Sequence, residues 1–167
     1  MDFLWSPWRY KYVSGGARSG ECIFCEMASG DVSQDRERFI LHRGRFNLIV
    51  LNIFPYTPGH SLIAPYKHVP NLAGLGADEL GEMMILARDL EAALQAAYRP
   101  EGLNLGMNLG RSAGAGIADH AHLHVLPRWS GDSNFMTVVG ETRVLPEDLA
   151  TTYDKLAAFF RVPSAKG

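Results

Sequence analysis

Residues 119–129 read Asp-His-Ala-His-Leu-His-Val-Leu-Pro-Arg-Trp, so that His120, His122 and His124 alternate with the apolar Ala121, Leu123 and Val125. In a β-strand successive side chains point to opposite faces. The three imidazoles would then share one face at roughly 7 Å intervals while the apolar set packs into a core. Half of the chain's six histidines are spent on this one face. A neutral imidazole, with an ordinary pKa of about 6.5, is a nucleophile at neutral pH and, once protonated, an acid. One ring attacking a phosphoanhydride phosphorus would give a phosphoramidate, and a neighbour on the same face could protonate the departing oxygen. The row could instead bind metal, since imidazoles two apart on a strand can share one zinc. No single ring does both, because a nitrogen bound to metal cannot attack phosphorus.

Three further stretches bear on this chemistry. The loop from Asn108 to Gly116 (NLGRSAGAG) feeds directly into the histidine row, and its glycines let backbone N–H groups approach an anion closely. GAGIAD partly matches a dinucleotide fingerprint, but a strand follows it rather than a helix, and there is no GK[ST] of a phosphate-binding P-loop. Cys22 and Cys25, in CIFC, are suitable zinc ligands that need two more, and the histidines supply candidates. PGHSLIAPYKH places His60 at the head of a strand and His68 just past its end.

The elements that must position these groups can be read from periodicity and turn residues. Cys22 and Cys25 fall on one or two helical turns ending near Gly30. Strands are expected over Arg36–Arg43, Phe46–Asn52, His60–Pro65 and Leu103–Leu109, with the histidine row as the fifth. The longest helix should span Asp78–Tyr98, with Asp78 as N-cap and Leu80, Met83, Met84, Ala87, Leu90, Leu94 and Ala97 as its buried stripe. A second helix is expected around Pro146–Phe160. Consecutive strands with one long helix among them imply an α+β domain, a mostly antiparallel five-stranded sheet with helices on one side. The aromatic stretch LWSPWRYKYV and the Gly/Ser-rich SGGARSGE make residues 1–20 an arm and linker, leaving 21–167 as the single domain.

The 167 residues are 47% hydrophobic with a formal charge of −2. So even a balance argues against a general nucleic-acid or membrane binder, because affinity for a polyanionic surface needs a concentrated positive field. With no apolar run of membrane-spanning length and no signal-peptide pattern, a cytoplasmic protein is expected.

The run His120-Ala121-His122-Leu123-His124-Val125-Leu126 resembles the signature of the histidine triad (HIT) family, in which three histidines alternate with apolar residues. The strand ending at Asn52, the PGH at His60 and the MNLG before the glycine loop occur in HIT proteins in the same order, and the resemblance covers roughly Cys22 to Asp132. The aromatic arm and the GAGIADHAHLHVLPRW run are similar to the prokaryotic branch containing diadenosine tetraphosphate phosphorylases and hydrolases. The resemblance implies His122 as the nucleophile that takes a nucleoside monophosphate, His124 at the bridging oxygen and His60 as a supporting histidine. It implies Asn52 at the ribose and Asn108, Gly114 and Gly116 at phosphate. It further implies a structural zinc on Cys22, Cys25, His68 and His120, with no metal needed for the chemistry itself. One departure stands out. Many members carry Gln-Ser or Gln-Thr just before the triad, whereas this chain has Ile117-Ala118, so that Ser112 or loop N–H groups would have to contact phosphate instead. Arg111 and Arg128 are candidates to balance a polyphosphate.

The expected reaction is cleavage of an adenine dinucleoside polyphosphate, or another AMP derivative, through a covalent His-AMP, with water or inorganic phosphate as acceptor. The alternatives are a nucleotide sensor with little turnover and a catalytic metal centre. The resemblance also implies a homodimer, and the apolar, aromatic arm makes a larger assembly conceivable.

Overall fold

The computed structural model describes residues 22–132 and 147–161. The aromatic arm, and the expected start of the last helix at Pro146, lie outside the described residues. Along the chain come α1 (Ile23–Ser29), β1 (Ile40–Arg43), β2 (Asn47–Leu51), β3 (Ser61–Pro65), α2 (Ala77–Tyr98), β4 (Gly102–Met107), β5 (Leu123–Arg128) and α3 (Leu149–Arg161), with short 3₁₀ turns between some of them. The strands form one five-stranded sheet in the order β1-β2-β3-β5-β4, and every neighbouring pair is antiparallel. This is the α+β architecture expected from the sequence.

Alternation along the central strands sorts the apolar residues into two cores. Ile49, Leu51, Ile63, Leu123 and Val125 face α2 and α3, where they meet Leu90, Leu94 and Leu156. Leu48, Val50, Leu62 and Ala64 face the other way, against Phe24 and Met27 of α1. His124 pairs with Leu62, so the histidine side of β5 lies on the α1 face of the sheet. The two long helices therefore cover one side and leave the other to the short helix that carries the cysteines, so the helices do not all lie on one side as the sequence reading expected.

Several boundaries differ from the sequence reading, each for a local reason. β1 begins at Ile40 rather than Arg36, because Phe39 adopts φ 57° and Ile40 N–H turns back to the Asp35 carbonyl at 2.8 Å. α2 is capped at Gly76 rather than Asp78: Glu79 reaches back to accept the Gly76 N–H at 2.5 Å, and Asp78 sits in the first turn. Met84 is exposed, since it stands about 100° around the helix from the buried Met83 and only one of the two can face the sheet. β4 runs Gly102–Met107, and β5 begins only at Leu123, so His120 and His122 lie on the chain leading into the strand. Gly59 just before His60 has no room for a side chain: its φ is +81°, and a Cβ there would meet Leu94 at 2.8 Å.

Candidate active site and metal centre

β2, β3 and the approach to β5 bring four histidines into one row. Leu51 pairs with Ser61, which puts Asn52 abreast of His60, and the β3–β5 register, with Leu62 opposite His124, makes His60 the diagonal neighbour of His124 on the same face. The His122 and His124 rings are 4.9 Å apart, and His124 and His60 5.2 Å. His60, His120 and His122 are almost wholly withdrawn from solvent, at 1%, 0% and 5% exposure.

In the neutral form of each ring, hydrogen bonds fix which nitrogen carries the proton. His122 Nδ1 lies 2.8 Å from the His120 carbonyl, which can only accept, so the proton sits on Nδ1 and the lone pair on Nε2. Burial pushes this imidazole below the usual histidine range, against a smaller upward pull from its bond to the His120 carbonyl. The ring is therefore neutral and nucleophilic at pH 7. His60 Nδ1 accepts the Tyr56 N–H at 3.1 Å, which leaves its proton on Nε2 to be donated to His124 Nδ1 at 3.0 Å. His124 in turn carries its proton on Nε2. Adjacent rings thus present opposite chemistry, a bare nitrogen on His122 and an N–H on His124.

The phosphate-side residues fall where the register directs them. Asn108 follows Met107, whose partner is Leu123, and so comes abreast of His122. Asn52 accepts the Phe54 N–H on Oδ1 at 2.9 Å, which turns its amide nitrogen toward the His60 ring at 3.4 Å. The loop winds through a 3₁₀ turn at Arg111–Ala113, with Gly110 and Gly114 both at positive φ and Ser112, Gly114 and Gly116 exposed. The Gly114 N–H bonds back to the Arg111 carbonyl at 3.0 Å, so this glycine shapes the turn. Arg128 lies at the far end of β5, held by Asp132 at 2.5 Å and Asn104 at 2.7 Å, away from the histidine row. His42 sits elsewhere too, 5.5 Å from the Phe160 ring of α3.

Beside the row, Cys22, Cys25, His68 and His120 place their ligand atoms within 4.8 Å of one another. Cys22 Sγ is 3.2 Å from His120 Nδ1, and Cys25 Sγ is 3.2 Å from His68 Nδ1. His120 donates its other nitrogen, Nε2, to the Pro65 carbonyl at 2.8 Å, which fixes the tautomer with its lone pair turned to the sulfurs. Burial, then the neighbouring Cys22 sulfur, push the Cys25 thiol up, as befits two sulfurs that need a cation before both can ionise. Two thiolates and two imidazoles are a closed tetrahedral donor set. These four residues could hold a metal ion, and they are the four the sequence reading assembled.

Three features had escaped the sequence reading. Phe24, between the two cysteines, packs on His120 and His122 with ring centroids at 5.1 and 5.0 Å. Its position inside CIFC was the available signal. Arg43 donates to the Met27 carbonyl at 2.9 Å and to Asp35 at 2.8 Å, fastening the end of α1 to β1. Tyr56 meets His60 twice, through its backbone N–H at 3.1 Å and through its ring, with centroids 4.8 Å apart.

Residues 34–131 match the HIT domain family model, a span of more than half the chain that includes the triad. The chain belongs to the HIT domain family. Among relatives of this HIT protein is a Mycobacterium tuberculosis protein named AP-4-A phosphorylase, 36% identical over 165 residues that cover 94% of this chain and 83% of the relative. Protein hit of Bacillus subtilis is 30% identical, covering 81% of this chain and 92% of its own. A crystal structure of a Zn-bound histidine triad family protein from Mycobacterium smegmatis aligns with TM-score 0.67 and 27% identity, over 84% of this chain and 93% of that one. Family membership and these relatives make the chain an enzyme that processes small nucleotides. No described helix is long and apolar enough to cross a membrane.

Proposed function

We propose that this HIT protein is a nucleotidyl transferase that cleaves an adenine dinucleoside polyphosphate such as diadenosine tetraphosphate at the α-phosphorus and passes AMP to inorganic phosphate. The observation that carries the reading is the pairing of tautomers, an unprotonated Nε2 on His122 beside an N–H on His124. In the first step the His122 Nε2 lone pair attacks the α-phosphorus and the bond to the bridging oxygen breaks. His124 gives its proton to that oxygen as ATP leaves. In the second, an oxygen of hydrogen phosphate attacks the same phosphorus and the P–N bond breaks. ADP forms, His122 recovers its lone pair and the phosphate proton returns to His124. Water as acceptor would give AMP instead of ADP. The relative named AP-4-A phosphorylase is what favours phosphate. Asn52 and Asn108, at the two ends of the row, are proposed for the ribose and for phosphate, with Ser112, Gly114 and Gly116 around the latter.

Zinc is proposed at Cys22, Cys25, His68 and His120, where it would supply structural cross-linking, and the catalytic steps run on imidazoles alone. A cytoplasmic homodimer completes the proposal. Its natural seam is β4, an edge strand among the described residues, with Leu105 exposed.

The test is an alkaline quench of working enzyme, which preserves phosphoramidates, followed by peptide mass analysis, with products identified in the presence and absence of phosphate. Adenylylated His122 and a switch from AMP to ADP on adding phosphate are expected. No nucleotidylated peptide during turnover would sink the mechanism, AMP under both conditions would make water the acceptor, and tight binding without turnover would leave a nucleotide sensor.

A further inference from the structure

The ring of Phe24 occupies an unusual place. It is 2% exposed, and it sits in α1 one residue before Cys25 and two after Cys22. From there it touches the metal-site ring of His120 at 5.1 Å and the ring of His122 at 5.0 Å, tilted to both by 56° and 43°. Its other neighbours are the aliphatic side chains of the α1-side core, Leu62 among them. The His122 imidazole is thus gripped from three sides, one of them the His124 ring at 4.9 Å. Its Nδ1–H is tied to the main chain of His120, and one of its flanks rests on a side chain carried by the cysteine helix. The hydrogen bond fixes one nitrogen but leaves the ring free to swing about that bond, and the rings packed on it, Phe24 at 5.0 Å and His124 at 4.9 Å, remove the swing.

We infer that Phe24 is a positioning residue for the nucleophile, one that holds the plane of the His122 imidazole and transmits to it the state of the Cys22–Cys25–His68–His120 cluster. The helix that carries Phe24 is held at its start by the cluster and at its end by Arg43, which bonds the Met27 carbonyl. An occupied cluster keeps the front of α1, and with it the Phe24 ring, pressed against His122. Emptying the cluster frees the front while Arg43 retains the back, so the ring loosens without leaving. The metal then acts on catalysis through one ring contact, without touching substrate.

This inference rests on the reading of His122 as nucleophile, so its test has one arm that needs no turnover. In uniformly ¹⁵N-labelled, zinc-loaded protein, the ring signals of His122 report its tautomer and surroundings. Phe24→Leu, which keeps apolar volume and removes the aromatic flank, should shift and broaden these signals while zinc content by elemental analysis stays at the wild-type level. With diadenosine tetraphosphate its kcat should fall roughly tenfold with KM unchanged, the pattern of a misaimed nucleophile in a site that still binds. Removing zinc from the wild type with phenanthroline, below its unfolding temperature, should shift the same His122 signals, and the shift should shrink in Phe24→Leu. Wild-type ring signals and kcat in Phe24→Leu would overturn the positioning role. Should that variant fail to fold, the wild-type arm decides: His122 signals indifferent to zinc removal would overturn the transmission. An inactive wild type whose His122 signals respond as expected would remove the proposed reaction and leave the packing claim standing.

Discussion

Tyr56 donates its backbone N–H to His60 Nδ1, and that one main-chain bond decides where the protons sit on two rings further along. With Nδ1 occupied, His60 must present Nε2–H to His124, and His124 must then carry its own proton on the nitrogen turned away from His60. A backbone group outside the histidine row so determines which nitrogen of His124 can act as the donor proposed for the leaving oxygen. His60→Leu removes both nitrogens, after which neutral His124 divides between two tautomers and only one of them is useful. A fall in kcat of roughly a hundredfold, with KM little changed, is the expected outcome in steady-state kinetics with diadenosine tetraphosphate. His60→Gln should recover part of that loss, because an amide can accept from Tyr56 with its oxygen and donate to His124 with its nitrogen. Equal rates for the two variants would mean that His60 merely fills space. At this scale the sequence was informative about which rings come together, since three alternating histidines and a fourth after Pro-Gly stand in plain view. It was silent on protonation, which depends on carbonyls and N–H groups that every residue possesses.

Glu82 of α2 does for an element what Tyr56 does for a ring. Its carboxylate accepts the backbone N–H groups of Arg45, Phe46 and Asn47 at 2.6, 2.7 and 2.8 Å, together with the Asn47 side-chain amide at 2.8 Å. It thereby closes the β1–β2 hairpin onto the long helix, and Gly44 must lack a side chain because a Cβ there would meet Glu82 at 2.9 Å. Burial pushes this carboxyl up, but the Asn47 amide and the three N–H groups outweigh burial and hold it below the usual carboxylate range. A carboxylate depressed in the folded state contributes stability that is in force above its unfolded pKa of about 4.3 and disappears as pH falls through the lower folded value. Glu82→Gln should therefore cost about 2 kcal/mol in urea unfolding at pH 7, the loss of a charged acceptor shared among four donors. The gap between variant and wild type should close below pH 4. A pH-independent gap would mean that shape, not charge, holds the hairpin. Periodicity places Glu82 off the apolar stripe of its helix and says no more, because the hairpin it clamps lies more than thirty positions away. The boundary errors have a local cause instead: the Ile40 N–H turns back to the Asp35 carbonyl and the Gly76 N–H to the Glu79 carboxylate, bonds that periodicity does not register.

Across the whole molecule, the Cys/His cluster is the point where distant parts of the chain converge: α1 through Cys22 and Cys25, the segment after β3 through His68, and the approach to β5 through His120. Its membership was legible through family resemblance, while spacing alone left six histidines competing for two places. The position of α1 opposite the two long helices was not legible, because a seven-residue helix has too short a pattern to declare which side of a sheet it will cover. That position gives the cluster its leverage, since α1 buries only Phe24 and Met27 and has few other anchors than Arg43. A ligand set assembled only in the folded state turns metal affinity into folding free energy, about 4 kcal/mol when free metal stands a thousandfold above its Kd. Chelation should accordingly lower the midpoint of thermal unfolding by roughly 10 °C, a shift read by circular dichroism. Below that lowered midpoint, the metal-free protein should still turn over diadenosine tetraphosphate. Its rate should be reduced no further than by the roughly tenfold that loosening Phe24 accounts for, and adding zinc should restore both midpoint and rate. A metal that polarised the substrate would leave no activity in folded, metal-free protein, and that result would move the cluster from the scaffold into the chemistry.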